Sequence, residues 1–498
     1  MVCGSSDLRP IRFTNYEDSP LKLKPTSLLI AGALMGAAVL PVQADPMVDL
    51  LKVLRDKGTI SAEDYSLLAN AAKAKEEKAT AEKEEIVSIV KETEKKSSLV
   101  TLDSKGLNFK SSDGAFTANI GGRIHADYGF VNDDFFGSAN PGLGVNESGD
   151  GAFFRRARLG MEGTMFTDWI YGLEINYNGG AASSNAGFTD AIIGYKGFEN
   201  TTIKLGRHKM PAGLEELTSS NRISTMERSG PTNTFALSRF NGLTVATKGT
   251  NWTATGGMWM GEGDGDRDNN NQDSDWGYAG RATFAPIQEK DSIVHLGLSY
   301  SKIEYENNFT GTSITTNNGR LRQRAGNRFV DDRPVQVTYA GTEDADTYGL
   351  EAATIQGPFS LQGEYFQRTL NRKDFKDADV DGWYVLSTFT LTGETRGYRD
   401  GVMRTISPKN PVGKGGFGAW ELVARYDVLD LWDSSAASEG VSGIRGTESN
   451  IWTLGVNWYV NDNIRFMANY VDADIKSDAA SDIEGDVKAF MLRGQVAF

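Results

Sequence analysis

The chain has 498 residues, 66 Asp and Glu against 52 Lys and Arg, and a single cysteine, Cys3. One cysteine excludes a disulfide scaffold and a multi-cysteine metal site, and a net charge of −14 argues against nucleic acid as a partner. The length suits several ordinary domains or one large barrel.

The first long apolar run is "LKLKPTSLLIAGALMGAAVLPVQA". Lys22 and Lys24 form a basic start, residues from Leu28 to about Leu40 are apolar, and Val42-Gln43-Ala44 is a small-residue cleavage site. This reads as a secretory signal peptide over residues 1–44, preceded by an unusually long extension and cleaved before Asp45. Its loss removes Cys3, four basic and three acidic residues, leaving a net charge of −15. No later apolar run reaches the roughly twenty residues a spanning helix needs. The mature chain is therefore either a soluble exported protein or a β-barrel, whose spanning strands need only about ten alternating residues.

Residues 45–100 have a texture of their own. "MVDLLKVLRDKG" predicts a short helix with Leu50, Leu51 and Leu54 on one face and Gly58 as its stop. Ser61 is placed to cap a second helix, with Glu63 and Asp64 in its first turn. That helix runs through "KAKEEKATAEKEEIVSIVKETEKK", where Leu67, Leu68, Ile86, Ile89 and Val90 are the sparse apolar positions. The segment reads either as a periplasmic coiled coil that oligomerises or touches the cell wall through residues 47–96, or as a solvated charged linker.

From Thr101 to Phe498 the chain consists of short alternating segments separated by Gly, Asn and Asp. In "FMLRGQVAF" Phe490, Leu492, Gly494, Val496 and Phe498 take one face, and Met491, Arg493, Gln495 and Ala497 the other. A lipid-facing wall around a wet interior requires this pattern. "IWTLGVNWYVNDNIRFMANYVDA" repeats it as a hairpin turning at Asn461 to Asn463, with Arg465 and Asn469 inside. "AWELVARYDVL" puts Trp420, Leu422, Ala424, Tyr426 and Val428 outside and Glu421, Arg425 and Asp427 inside; "VHLGLSYS" is built alike. A turn near Thr167-Asp168 is flanked by Phe166 and Trp169, as an interfacial girdle demands. Short turns alternate with long polar segments at 131–151, 261–276 and 305–332, which predicts short turns on one side and long loops on the other. The fold expected is an all-β transmembrane β-barrel of about 16 antiparallel strands over residues 101–498, at roughly ten residues per strand plus loops.

The segment "NNGRLRQRAGNRFVDD" breaks the acidic composition, because no carboxylate occurs from Asn307 to Val330. Arg320, Arg322 and Arg324 are two apart, so on an extended chain they share one side at roughly 6 to 7 Å spacing, with Arg328 four further on. A guanidinium stays charged and forks two hydrogen bonds onto an oxyanion, so an anion could change rungs without becoming bare. The other reading is an exposed basic loop that solvates or meets lipopolysaccharide phosphates. Arg156 and Arg158 alternate on one strand with Arg155 at its mouth, and Arg123 shares a face with His125 and Asp127. Asp264, Asp266, Asp268 and Asp275 follow calcium-loop spacing, but Asn269 stands where the loop needs glycine, so a solvated loop is favoured. His125, His208 and His295 lie in separate strands, and no serine groups with a histidine, so neither enzyme, metal site nor cofactor is expected.

"IGGRIHADYGF", "FFRRARLGMEGTMFTDWIYGLEINY", "FTDAIIGYKGFENTTIKLGRHKMPAGLEELTSSNRISTMERS", "LTGETRGYRDG", "GAWELVARYD" and "TLGVNWYVND" resemble, in order, the phosphate-selective porins O and P. The resemblance covers nearly all of 101–498 and implies a sixteen-stranded outer-membrane barrel, a homotrimer, and inward-folded loops that narrow each pore. It also implies that the R-x-R-x-R-x-x-x-R row is a pore ladder, and that Arg155-Arg156, Arg228 in the constriction loop and Arg399 deep in the pore belong with it. Two positions depart from the strongly phosphate-selective pattern: Glu216 and Ser407 replace lysines. Glu216 is expected either to repel a dianion or to pair with Arg222 or Arg228, and Glu216→Lys to raise phosphate affinity.

The partners expected on this reading are inorganic phosphate or other small anions, outer-membrane lipid and lipopolysaccharide. The barrel-assembly machinery, engaged through C-terminal Phe498, completes the set. The function expected is an anion-preferring porin of a Gram-negative outer membrane; a general porin for other solutes, or a barrel that tethers the envelope through its coil, are the alternatives.

Overall fold

The protein is described here by a computed structural model covering residues 46–96, 99–135, 149–177, 186–261, 276–305, 319–330, 333–479 and 483–498. The expected signal peptide and the calcium-like spacing of 264–275 lie outside the described residues. Two units are present, one helical and ending at Thr93, the other containing the sheet.

In the helical unit, α1 (Pro46–Asp56) stops at Gly58, whose φ of 71° lies in the left-handed region that glycine occupies without strain. Its apolar face is narrower than the leucine spacing predicts: Leu51 and Leu54 are partly covered, but Leu50 is exposed. Helix α2 (Ala62–Lys96) starts as expected at Ser61, whose Oγ accepts the Asp64 N–H at 3.0 Å and donates to Asp64 Oδ2 at 2.7 Å. No helix among the described residues is long and apolar enough to cross a membrane.

The second unit is a closed antiparallel barrel. Its sixteen strands, numbered along the chain, are β1 (Thr117–Asp133), β2 (Gly151–Met165), β3 (Trp169–Tyr177), β4 (Ala186–Phe198), β5 (Thr201–Lys209), β6 (Arg239–Lys248), β7 (Trp252–Met260) and β8 (Trp276–Gln288), followed by β9 (Ser292–Glu304), β10 (Thr342–Gln356), β11 (Phe359–Arg372), β12 (Ala378–Thr390), β13 (Ala419–Asp430), β14 (Glu448–Tyr459), β15 (Ile464–Lys476) and β16 (Glu484–Ala497). Each pairs with the next, and β16 closes on β1 in the register Val487↔Asp133 to Ala497↔Arg123. Closure leaves no spanning edge with unpaired backbone groups, which hydrocarbon would not tolerate.

Alternation decides which face each side chain meets. Phe490, Leu492 and Val496 point outward, as do Trp420, Leu422, Trp452 and Leu454, while Arg425, Arg465 and Arg493 are buried inside. The outward residues would be unfavourable in water by about 25 cal/mol per Å² of apolar surface, and lipid removes that cost. Aromatic clusters mark the two interfaces: Trp420, Trp458 and Phe466 stack near one end, and Trp383, Tyr426 and Trp452 pack near the other.

Two expectations need correction. The interior is not wet throughout: Met226, Phe235, Leu321, Val337, Tyr339, Ile451, Val471, Val487 and Met491 form one dry cluster inside the barrel. The cause is an inner three-stranded sheet, Arg320–Gln323 with Val335–Tyr339 and Val441–Ser442, whose apolar face needs inward-facing apolar wall residues to cover it. Nor are all connections on the short-turn side short. Between β12 and β13 an insert over 391–418 folds against the barrel interior, where Arg281 donates to Gly401 O at 2.7 Å and His295 Nδ1 meets the Tyr398 hydroxyl at 2.7 Å.

Candidate functional site

The narrowing is built by the connection between β5 and β6, residues 210–238. Gly213, with φ at 75°, turns the chain into α3 (Leu214–Leu217), and the Leu214 and Glu215 N–H groups donate to Glu364 of β11 at 2.5 and 2.8 Å. Ser229 caps α4 (Gly230–Phe235) by accepting the Thr232 N–H, with a proline at the start of that helix. Between them Arg228 folds inward and donates to the carbonyls of Glu215, Glu216 and Thr218 at 3.0, 3.2 and 2.9 Å.

Buried arginines of the wall hold the loop by its backbone. Arg368 of β11 donates to Phe235 O at 2.9 Å, Arg425 of β13 to Glu227 O at 2.8 Å, Arg465 of β15 to Ile223 O at 2.9 Å and Arg493 of β16 to Met226 O at 2.6 Å. Arg396 of the 391–418 insert donates to Arg222 O at 3.0 Å and Ser224 Oγ at 2.7 Å while forming a buried ion pair with Glu421. These anchors come from β11–β16 or the insert, so the loop's backbone is held by that wall. Strands β1 and β2 reach it through side chains, Arg123 donating to Ser219 and Ser220 Oγ at 3.4 Å, His125 Nε2 meeting Asn221 Oδ1 at 2.9 Å and Arg155 pairing with Glu227, and a gap remains beside these contacts.

The gap is a cavity of about 230 Å³. From the wall come Arg123 of β1, Arg155, Arg156 and Arg158 of β2, Asp190 of β4, Lys209 of β5 and Arg239 of β6; from the loop come Glu216, Glu227 and Arg228; Arg328 reaches in from the inner segment. Two adjacent inward positions on β2, Arg155 and Arg156, are possible because the β1 pairing slips between His125 and Ala126, so that Arg156 faces His125, Phe154 faces Ala126 and Arg155 is the extra residue. Such a bulge re-aims one side chain, and here Arg155 joins Arg156 on the lumen side.

Eight cations meet three carboxylates in this lining. Glu174, beside the cavity, takes Arg123 at 2.5 Å and Arg158 at 2.9 Å, and Asp190 takes Arg239 at 2.9 Å. Glu227 accepts from Arg155 at 2.8 and 3.1 Å. Burial pushes the Glu227 carboxyl up, but the guanidiniums of Arg155, Arg328 and Arg156 prevail and hold it well below the usual carboxylate range. Burial first, then the charges of Arg404, Arg123 and Arg399, pushes Arg222 down to about 10.

Of the residues singled out from sequence, Arg123, Arg155, Arg156, Arg228 and Arg328 line this cavity together. Arg320, Arg322 and Arg324 do not; they lie on the inner segment, half-buried on one side, with Leu321 and Gln323 buried on the other. That segment starts where Gly319 meets Thr342 of β10, passes Ile451 and Val471 at Gly326, and brings Phe329 over Gly129 of β1. Arg399 is apart from the cavity, its side chain 71% exposed and 3.7 Å from Asp400. Ser407 is exposed and bonds Asp462. The three histidines are buried and hydrogen-bonded, His125 to Asn221, His208 to Thr244 and His295 to Tyr398.

Glu216 is fully buried, 3.2 Å from both Lys209 and Arg228, and so pairs with Lys209 in place of Arg222. Glu216→Lys would bring three cations together in a dry site. It is therefore expected to loosen the loop and increase current noise in single-channel records, not to raise phosphate affinity. Sequence reasoning missed Glu174, Lys209, Glu227 and Arg239; the only signal for Glu227 was its place beside Arg228 in "STMERS".

The sequence model of the phosphate-selective porin O and P family matches residues 118–498. Porin O of Pseudomonas aeruginosa is 29% identical over 431 residues, covering 79% of this chain and 91% of that protein. A Caulobacter vibrioides protein of uncharacterised function is 29% identical over 368 residues, 73% of this chain and 69% of its own. Among solved structures, the anion-selective porin from Comamonas acidovorans superposes with a TM-score of 0.47 at 16% identity, over 77% of this chain and all of that one. The channel DcaP of Acinetobacter baumannii gives 0.48 at 11%, over 78% and 99%. A closed sixteen-stranded barrel with lipid-facing aromatic girdles, and a family match over nearly the whole of it, lead to one conclusion: the chain belongs to the phosphate-selective porin O and P family and is a porin of a Gram-negative outer membrane.

Proposed function

We propose that the channel prefers anions and admits phosphate or similar oxyanions along an arginine-lined path. The observation that carries this reading is the charge of the cavity beside the constriction loop, eight cations against three carboxylates. The inner segment supports it, since Arg320, Arg322 and Arg324 share the half-exposed side of a strand whose other side is buried. An oxyanion would pass from these rungs to Arg328 and then to Arg155, each step exchanging one forked donor for another. Stations of moderate strength in series favour entry while permitting exit. The family description agrees with this cargo, and family membership favours assembly as a homotrimer.

The test is the reversal potential of the purified channel in a planar bilayer under a salt gradient, followed by titration of phosphate against the chloride current. Arg322→Ala with Arg324→Ala is expected to lower the anion-to-cation permeability ratio by about threefold or more, as two unit charges leave the path. Unchanged selectivity in that double variant removes the row from the conduction path.

A further inference from the structure

Glu227 is an acid in the lining of the basic cavity. Its Oε1 accepts from Arg155 Nε at 2.8 Å and Arg493 Nη2 at 3.2 Å, and its Oε2 accepts from Arg155 Nη2 at 3.1 Å and lies 3.8 Å from Arg328 Nε. Three guanidiniums from three separate elements, β2, β16 and the inner segment, thus converge on one carboxylate whose side chain is still 10% exposed. Two planar acceptor oxygens and a negative charge are what a bound oxyanion would offer the same donors.

The carboxylate is not needed to hold the loop in place. The Glu227 carbonyl is held by Arg425 at 2.8 Å and by the Thr225 hydroxyl at 2.8 Å, and the Met226 N–H donates to Asn469 at 2.7 Å. Arg493 has a second carboxylate, Asp127, at 2.7 Å.

We propose that Glu227 is a tethered counter-anion: its carboxylate occupies the guanidinium donors between passages and gives up part of them to a passing oxyanion, setting how firmly the channel holds its cargo and how readily it lets go. This rests on the anion-conducting reading above. Without the tether a dianion loses a repulsive neighbour and meets donors with no built-in competitor, so it binds more tightly and leaves more slowly.

The experiment compares wild type, Glu227→Gln and Glu227→Asp as full-length channels in planar bilayers, with inorganic phosphate titrated against the chloride current. Glu227→Gln is expected to lower the half-blocking phosphate concentration by about tenfold or more and to reduce the phosphate current at saturation. Glu227→Asp, which draws the carboxylate back by one methylene, is expected to shift it the same way by about threefold, and decides the matter if the glutamine variant does not insert. A half-blocking concentration unchanged or raised overturns the proposal. So does a several-fold rise in chloride conductance, which would make Glu227 an anchor of the loop. A wild-type channel that passes cations as readily as anions and is not blocked by phosphate overturns the functional reading itself, and the proposal with it.

Discussion

Arg228→Ala is expected to raise single-channel conductance several-fold and to remove most ion selectivity. Arg228 braces the two halves of the constriction loop's inner turn together with the Ser229 N–H, which donates to the Glu215 carboxylate at 2.9 Å: the guanidinium gathers the carbonyls of Glu215, Glu216 and Thr218 and lies 3.2 Å from the Glu216 carboxylate. The Glu215 and Thr218 carbonyls, left buried without that donor, cost about 1–3 kcal/mol each, whereas Glu216 would keep Lys209 on both its carbonyl and its carboxylate. The turn relieves these costs by moving out to water, which widens the gap towards β1–β6. The barrel wall is untouched, so the variant should still insert. A conductance equal to wild type would mean that the wall arginines alone define the loop's path.

The second large effect is expected at Arg493. This guanidinium is 1% exposed and donates twice to Asp127 of β1 at 2.7 Å, once to Met226 O at 2.6 Å and once to Glu227 at 3.2 Å. Arg493→Met leaves Asp127 a buried carboxylate without its partner, a loss of about 3–5 kcal/mol. Heating the folded channel in detergent should show a clearly lower unfolding midpoint for the single variant. Adding Asp127→Leu should recover much of the difference, because an apolar pair avoids the desolvation that the ion pair suffers. A single variant as heat-resistant as wild type would show that water reaches Asp127.

The two faces of β13–β16 were legible because lipid and lumen impose a period of two on each strand, and Trp420, Leu454, Phe466 and Phe490 obey it. The ends of α1 and α2 were legible for a local reason as well, a left-handed glycine and a serine cap. Alternation alone does not place everything, and the family resemblance is what pairs Arg155 with Arg156. Arg155 joins Arg156 on the lumen side through a bulge, which shifts the phase by one residue and leaves no mark in composition. Inward arginines also look alike in sequence whether they meet cargo or backbone. Arg368, Arg425 and Arg465 hold loop carbonyls, while Arg328 reaches the cavity, and only the path of the loop separates the two uses. For Glu216 the sequence leaves two readings open, repulsion or pairing with Arg222 or Arg228; the Arg228 partner is among them and Lys209 is not, because the two cations come from different parts of the chain.

The buried arginines that hold the backbone carbonyls of residues 210–238 from the wall sit on β11, β13, β15 and β16 and on the 391–418 insert, later in the chain than the loop they hold. Such long-range contacts form late, because the entropy of closing so large a loop of chain is lost before any contact compensates for it. Arg493 makes the point most sharply, since it belongs to the last strand and binds both Asp127, across the seam, and Met226 of the loop. Sealing the cylinder and completing its narrowing therefore depend on the same side chain. A partly assembled chain is an unselective gap in the membrane, so any factor that shelters the nascent barrel must keep hold of it until the last strand has docked.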